Sequence, residues 1–390
     1  MSDTDSVSVR RRTRVMVLGA GQLGSELITA LQHLGAEVIA VDPPAAPPTP
    51  ADEHRVATLT DTEELSATIN RAGPDVVVAV TDQVSVEALR LAAQSGQAAV
   101  VPSARSVRLA ADREQMRRLV TEELGVPTVP FWFAGSAQEL AAVAERAGYP
   151  LVVSPVGVST PGVGQSVLVR PDDVEPAWRR ALAADGQIER VLGESVLQVD
   201  YEMTQLVFAD DADTVEFCAP IGHRPTADGR GLESWQPQPM SEIAVDAARS
   251  VAARIVRALG GRGLFAVHLA IRDDEVYFRD AGVFPTDAGL VTLRTQRLSQ
   301  FELAARAVLG LPADTLLVSP GAARLRYRNG ELGAAPAAGL AAALAVPETD
   351  VRVFGEGCRV GALLATAGDV QAACGRVDDA ADALSGMFAR

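Results

Sequence analysis

Tyr149-Pro150-Leu151-Val152-Val153-Ser154-Pro155 leads through Ser159-Thr160-Pro161-Gly162-Val163-Gly164-Gln165 into Ser166-Val167-Leu168-Val169-Arg170. A short apolar run bracketed by prolines reads as a buried strand. The glycine-rich run reads as a loop whose backbone N–H groups can approach phosphates. Residues 166–170 then read as the return strand of a hairpin.

Upstream, Arg14–Leu18 (RVMVL) reads as a strand. Gly19-Ala20-Gly21-Gln22-Leu23-Gly24 is the turn into an amphipathic helix reaching about His33, and a second strand, Val38–Val41, ends at Asp42. This G-x-G-x-x-G start admits a dinucleotide site, although a proline-rich loop follows Asp42. Further parallel strands are expected at Asp75–Val80 and Ala98–Val101, with helices between them. Ser103–Leu124 carries a helix through Arg117 and Arg118, and a second helix is expected from about Ala137 to Ala147. Ala335–Ala345 is an alanine-rich helix or linker.

Composition narrows the function. A chain of 390 residues can hold two to four domains. With 48% hydrophobic residues and a formal charge of -15, it reads as a soluble acidic globular protein. That charge disfavours nonspecific nucleic-acid binding and anionic membrane surfaces. All 35 Lys-or-Arg positions hold arginine. Cys218, Cys358 and Cys374 show no paired spacing, which points to a reducing cytoplasm and away from disulfides or a zinc site. No apolar run approaches transmembrane length, and residues 1–13 read as an untethered polar tail.

The strand, glycine loop and strand resemble the phosphate-covering hairpin of the ATP-grasp ligases. The order of the D-R-E helix at Asp112-Arg113-Glu114, then G-V-P-T, a helix and the G-Y-P strand follows the same family pattern. The glycine turn after the first strand is similar to that of pre-ATP-grasp domains, where it faces substrate rather than a nicotinamide. Phe217-Cys218-Ala219-Pro220-Ile221-Gly222-His223-Arg224 and Glu233-Ser234-Trp235-Gln236-Pro237-Gln238 resemble a signature of formate-dependent glycinamide ribonucleotide formyltransferases. Leu259–Phe265 and Leu290–Leu293 also fit, and the resemblance runs collinearly from about Arg14 to Ala367.

The resemblance implies an α/β (α+β) ATP-grasp fold with an N-terminal, Rossmann-like pre-ATP-grasp domain. The expected limits are a tail at 1–13, the pre-ATP-grasp domain at 14–122, a small lid subdomain at 123–195 and a large antiparallel subdomain at 196–390. It implies a cytoplasmic, homodimeric enzyme that uses ATP or ADP with magnesium and acts on a small molecule, with no nucleic acid or membrane partner. Enzymes of this kind activate formate as formyl phosphate and pass the formyl group to an amine.

By the same resemblance, Arg113 touches nucleotide phosphates, and Ser154, Ser159, Gly162, Gly164 and Gln165 belong to the hairpin over them. Glu194, Ser195 and Leu197 match the adenine wall. Glu202 matches the carboxylate that accepts from both ribose hydroxyls. His268 and Asp280 stand at the metal positions. Gly21, Gln22, Leu23, Asp82, Asp287 and Arg359 fall on the substrate side, and Arg113, Asp280 and Asp287 are the catalytic candidates. Read without the resemblance, Arg113 also fits a solvated helix-start arginine, Glu202 an outward strand residue and His223 a satisfied core histidine.

The sequence also departs from the family pattern. Ser154 and Val163 stand where lysines are expected, His268 replaces a carboxylate, and Asp280 is shortened from glutamate. Phe284 replaces an arginine. In the phosphate clamp, Val353–Gly361, a basic position appears as Glu356, and Cys358 sits beside the one remaining arginine, Arg359. Magnesium wants octahedral oxygen ligands, whereas imidazole suits zinc, copper or iron. The expectation is therefore a formyltransferase-like ligase with altered substrate or much reduced phosphoryl transfer. The alternative is a degenerate homologue that binds a nucleotide or a partner protein without chemistry.

Overall fold

Val15, Met16, Val17 and Leu18 are all 0% exposed, so β1 (Arg14–Leu18) is a central strand covered on both faces, as parallel sheets require. The computed structural model describes residues 12–44, 46, 49–156, 164–184, 190–212, 214–327, 337–355 and 357–384. Around β1, a five-stranded parallel sheet runs β3-β2-β1-β4-β5, with β2 at Glu37–Asp42, β3 at Glu53–Val56, β4 at Val76–Ala79 and β5 at Ala99–Val100. Helices α1 (Gly21–His33), α2 (Thr62–Ala72) and α3 (Val86–Gln94) connect these strands. The cap of α2 is local: Asp61 accepts the Glu64 N–H, and Gly73 closes the helix in the left-handed conformation. No side chain of its own N-cap serves α1. Instead, the Asp42 carboxylate accepts the backbone N–H groups of Ala20 and Gly21, and burial raises its pKa despite those bonds.

The helical stretch after this sheet breaks at Asp112, whose carboxylate caps the following turn by accepting the Gln115 N–H. It becomes α4 (Ala104–Ala111), α5 (Arg113–Arg118) and a π-turn over Leu119–Glu123. A second, four-stranded antiparallel sheet follows in the order β6-β9-β7-β8, with β6 at Phe131–Ala134, β7 at Leu151–Pro155, β8 at Ser166–Leu168 and β9 at Val191–Ser195. Helices α6 (Ala137–Ala147) and α7 (Val174–Ala184) pack on it through Leu140, Ala144 and Ala181. The hairpin return ends at Leu168, because the N–H groups of Val169 and Arg170 turn to the Asp173 carboxylate instead of the ladder.

The third sheet has nine strands: β10 (Tyr201–Ala209), β11 (Val215–Phe217), β12 (Ile221–Pro225), β13 (Gly231–Gln236), β14 (Gly263–Arg272), β15 (Glu275–Gly282), β16 (Gly321–Tyr327), β17 (Thr349–Val353) and β18 (Arg359–Thr366). Their order is β15-β14-β10-β12-β13-β16-β18-β17, with β11 paired to β10. Met203, Phe265, Val267 and Leu269 face α8 (Glu242–Leu259), following the period of two along each strand. On the other face, Leu206, Phe208 and Ala266 share a core with Leu27 and Ile28 of α1. Beyond β15 come the short α9 (Thr292–Thr295) and α10 (Gln300–Leu309), whose Phe301 and Ala305 close that core. Thus α1 joins the first sheet to the third. The alanine-rich segment forms α11 (Ala337–Leu344), and α11 packs with α12 (Val370–Ala383) against β16 and β18. No helix among the described residues is long and apolar enough to cross a membrane.

The ladder between β14 and β15 carries one irregularity that shapes the cleft. His268 pairs with Asp280 and Leu269 with Phe278, so Arg279 is an extra residue between them, a β-bulge.

Candidate active site

Alternation along β10 puts Glu202 and Thr204 on the face away from α8, and pairing places His268 of β14 opposite Thr204. Asp280 of β15 lies opposite His268, and His223 of β12 lies opposite Glu202. From α5, Arg113 reaches this face with its Nε 3.6 Å from Asp280 Oδ2. The cleft between this sheet and β9 holds a cavity of about 90 Å³ lined by Val152, Glu194, Ser195, Leu197, Glu202 and Arg279, among others.

The acids of this cleft already have cationic partners. Glu194, 7% exposed, accepts a 2.7 Å hydrogen bond from Arg117, itself 5% exposed and stacked over Phe131 and Phe278. Arg279 stands 3.6 Å from the same Glu194 oxygen and 3.5 Å from Glu202. The N–H of Ser195 is used within the fold, donating to Pro130 at 3.0 Å. Ser154 lies opposite Leu192 on β7, on the side of Val152 that lines the cavity. Gly164 and Gln165 lead into β8, while Ser159, Gly162 and Val163 lie outside the described residues.

The metal positions do not fit magnesium as they stand. Thr204 Oγ1 and His268 Nδ1 are 2.8 Å apart, and burial lowers the His268 pKa, so the ring is neutral. His223 packs edge-on against it at 5.9 Å, and burial, then His268, pushes its pKa down to about 3. One Asp280 oxygen accepts the Ala281 N–H at 2.8 Å, and the other faces Arg113. Among the described residues, no group of three His, Cys, Asp or Glu is placed to hold a metal. A neutral imidazole and one short carboxylate offer too few oxygen donors for an octahedral cation.

At the substrate end, one network ties the first sheet to the third. Gln22, at the head of α1, donates to the carbonyls of Arg359 (2.8 Å) and Gly355 (3.1 Å) and accepts the Arg359 N–H at 3.0 Å. Arg359 Nε in turn donates to Asp287 at 2.5 Å, and the Tyr327 hydroxyl donates to the other Asp287 oxygen at 2.8 Å. Burial opposes the Arg359 charge, but Asp287 outweighs it and raises the pKa; burial and Asp287 raise that of Tyr327. The exposed Cys358 thiol lies 3.5 Å from the Arg359 guanidinium. Glu356 lies outside the described residues.

The structure therefore brings Arg113, Glu194, Glu202, His268 and Asp280 together around the cleft and gathers Gln22, Asp287 and Arg359 into a network of their own. Gly21 only opens α1, and Asp82 sits in the turn between β4 and α3. Leu23 is 7% exposed and its side chain packs into the α1 core, so it can meet a substrate only through its backbone in the first turn of α1. The physical reason is helical spacing, which puts Leu23 on the stripe with Leu27 and Ile28. Sequence reasoning missed Arg117, Arg279 and Tyr327. For Arg279 the signal was its place directly before Asp280; for Arg117 and Tyr327 no local signal exists.

Comparison with known proteins gives the family. Residues 119–301 match the ATP-grasp domain and residues 12–111 the ribonucleotide synthetase preATP-grasp domain. The chain is 46% identical, over 95% of its length and 94% of the relative's, to a formate-dependent phosphoribosylglycinamide formyltransferase of Rhodococcus jostii. A Paraburkholderia xenovorans protein of the same description is 45% identical over 97% and 96%. The chain belongs to the formate-dependent phosphoribosylglycinamide formyltransferase family. A solved member, glycinamide-RNase-transformylase T from Mycobacterium tuberculosis, superposes with a TM-score of 0.82 at 49% identity, covering 95% of this chain and 99% of that one. An Aspergillus clavatus N5-carboxyaminoimidazole synthase, solved with ADP and 5-aminoimidazole ribonucleotide, shares the fold at 21% identity, with a TM-score of 0.81 over 96% and 99% of the two chains. The first glycine turn thus lies in the segment that matches the ribonucleotide synthetase preATP-grasp domain.

Proposed function

We propose that the chain is a formate-dependent phosphoribosylglycinamide formyltransferase-like ligase with much reduced phosphoryl transfer or an altered substrate. The ligase chemistry is supported by relatives of that name at 45–46% identity over nearly the whole chain. In that chemistry a carboxylate oxygen attacks the γ-phosphorus of ATP, giving an acyl phosphate and ADP. The substrate amine then attacks the acyl carbon and phosphate leaves. Formate would be the carboxylate here, and the amine would belong to a ribonucleotide.

One observation carries the reduced activity: among the described residues, four candidate acids are each matched by an arginine of the chain. Asp280 faces Arg113, Glu194 faces Arg117, Glu202 faces Arg279 and Asp287 faces Arg359. Phosphoryl transfer is driven by cations free to face the migrating group. Ser154 and Val163 supply none, and Arg113 is shared with Asp280. Each lost donor of this kind costs about 2.7–4 kcal/mol, so two exceed a factor of about 10⁴. The same observation favours a second reading, a protein that binds adenosine, ADP or ATP through Glu202 and the Glu194–Leu197 wall without chemistry. Cytoplasmic location, homodimerisation and the lobe limits at 122/123 and 195/196 form part of this proposal.

The test is turnover of ATP, formate and phosphoribosylglycinamide, with the Rhodococcus jostii relative as positive control. Turnover below about 0.01 per second is expected, against the usual enzyme range of roughly 1–1000 per second. A rate within that range would sink the reading. ADP binding without ADP formation would select the second one.

A further inference from the structure

We propose that Arg279 is a built-in plug of the adenosine pocket, a cation that competes with the ribose for Glu202. The inference rests on reading the cleft as an adenosine site. Arg279 is the bulge residue of β15, set between Phe278, buried in the α8 core, and Asp280, opposite His268. The bulge turns it toward the cleft, where Nε lies 3.5 Å from Glu202 and Nη1 3.6 Å from Glu194. It lines the same cavity as both acids.

Glu194 does not need this partner, since Arg117 already holds it at 2.7 Å. Among the described residues, Arg279 is the one cation paired with Glu202, the carboxylate assigned to the ribose hydroxyls. Two neutral hydroxyls must then displace a guanidinium before the sugar can bind. Both contacts are longer than hydrogen bonds, and the Arg279 side chain is 31% exposed, so the plug is weak and reversible. Removing it should therefore favour the ligand by a modest factor.

Adenosine is the probe, because it carries no phosphate for a displaced guanidinium to follow. Calorimetric titration of the full chain compares wild type, Arg279→Ser and Arg279→Gln, with Arg279→Ser/Glu202→Gln as the control for the ribose contact. Arg279→Gln keeps the stem and loses the charge, so it carries the test should the serine variant misfold. The expected result is adenosine binding roughly three- to tenfold tighter in both single variants and lost again in the double variant. Equal or weaker binding in the single variants would overturn the plug while leaving the adenosine reading in place. No binding by any folded variant would overturn the adenosine reading and the plug with it.

Discussion

The Nε2 atom of His223 is enclosed by the fold, and burial makes a charge on that ring costly. Among the described residues, Nε2 of His223 has no hydrogen-bond partner, and its pKa falls from an ordinary 6.5 to about 3. A depressed pKa means that the folded protein takes up this proton less readily than the unfolded chain. The stability involved is full above pH 6.5 and drains away as pH falls toward 3, at roughly 1.4 kcal/mol per pH unit. Between pH 7.5 and 5, wild type should lose about 2 kcal/mol more than His223→Gln, measured by urea unfolding at both values. Because the neighbouring His268 is present in both proteins, its own depressed pKa largely cancels. Parallel losses in the two proteins would show that His223 protonates freely. The sequence allowed His223 as either a site residue or a core histidine, and burial is a tertiary property that no local pattern reports.

At the level of elements, the clamp loop is held by a helix from another sheet. Gln22 spends its whole amide on the backbone of Gly355 and Arg359. Its fit is tight: a Cβ built on Gly357, at φ 138°, would lie 2.6–2.9 Å from the Gln22 side chain. Gln22→Ala should therefore release the loop at a cost of about 1 kcal/mol per lost hydrogen bond, small for the fold but large for the loop. Hydrogen exchange at the Arg359 amide should accelerate, and Cys358 should be alkylated faster than in wild type. Unchanged rates at both positions would mean that Asp287 and Tyr327 hold Arg359 without Gln22. Elements this regular are legible in sequence where the signal is local: Arg14–Leu18, the helix to His33 and the helix from Ala137 to Ala147 coincide with β1, α1 and α6. The return strand after the glycine loop stops at Leu168, two residues short of the expected Arg170, because Asp173 draws off two ladder donors from the next turn. The bulge at Arg279 was not legible, since register is a property of two strands together.

Over the whole molecule, two sheets contribute to the cleft, so its charge cannot be repaired from any single sheet. Position 154 lies on β7 of the four-stranded sheet, and His268 lies on β14 of the nine-stranded one. The chain's formal charge of -15 opposes an approaching polyphosphate unless the cleft supplies local cations. Ser154→Lys should place an ammonium on the cavity side of β7 and tighten ADP and ATP binding without magnesium. His268→Glu should act differently. It removes the Thr204 contact and sets a second carboxylate opposite Asp280, which destabilises the protein until a divalent cation joins them. Magnesium should then raise the thermal midpoint of His268→Glu and leave wild type unmoved. Because both changes act on one triphosphate–metal cluster, the double variant should gain more magnesium-dependent ATP affinity than the two single gains combined. Formyl transfer should stay poor even then, as Asp287 still holds the one clamp arginine. Titration of ATP with and without magnesium, on all four proteins, reads these gains directly. If the folded double variant gains nothing, the cleft has been rebuilt around something other than a nucleotide.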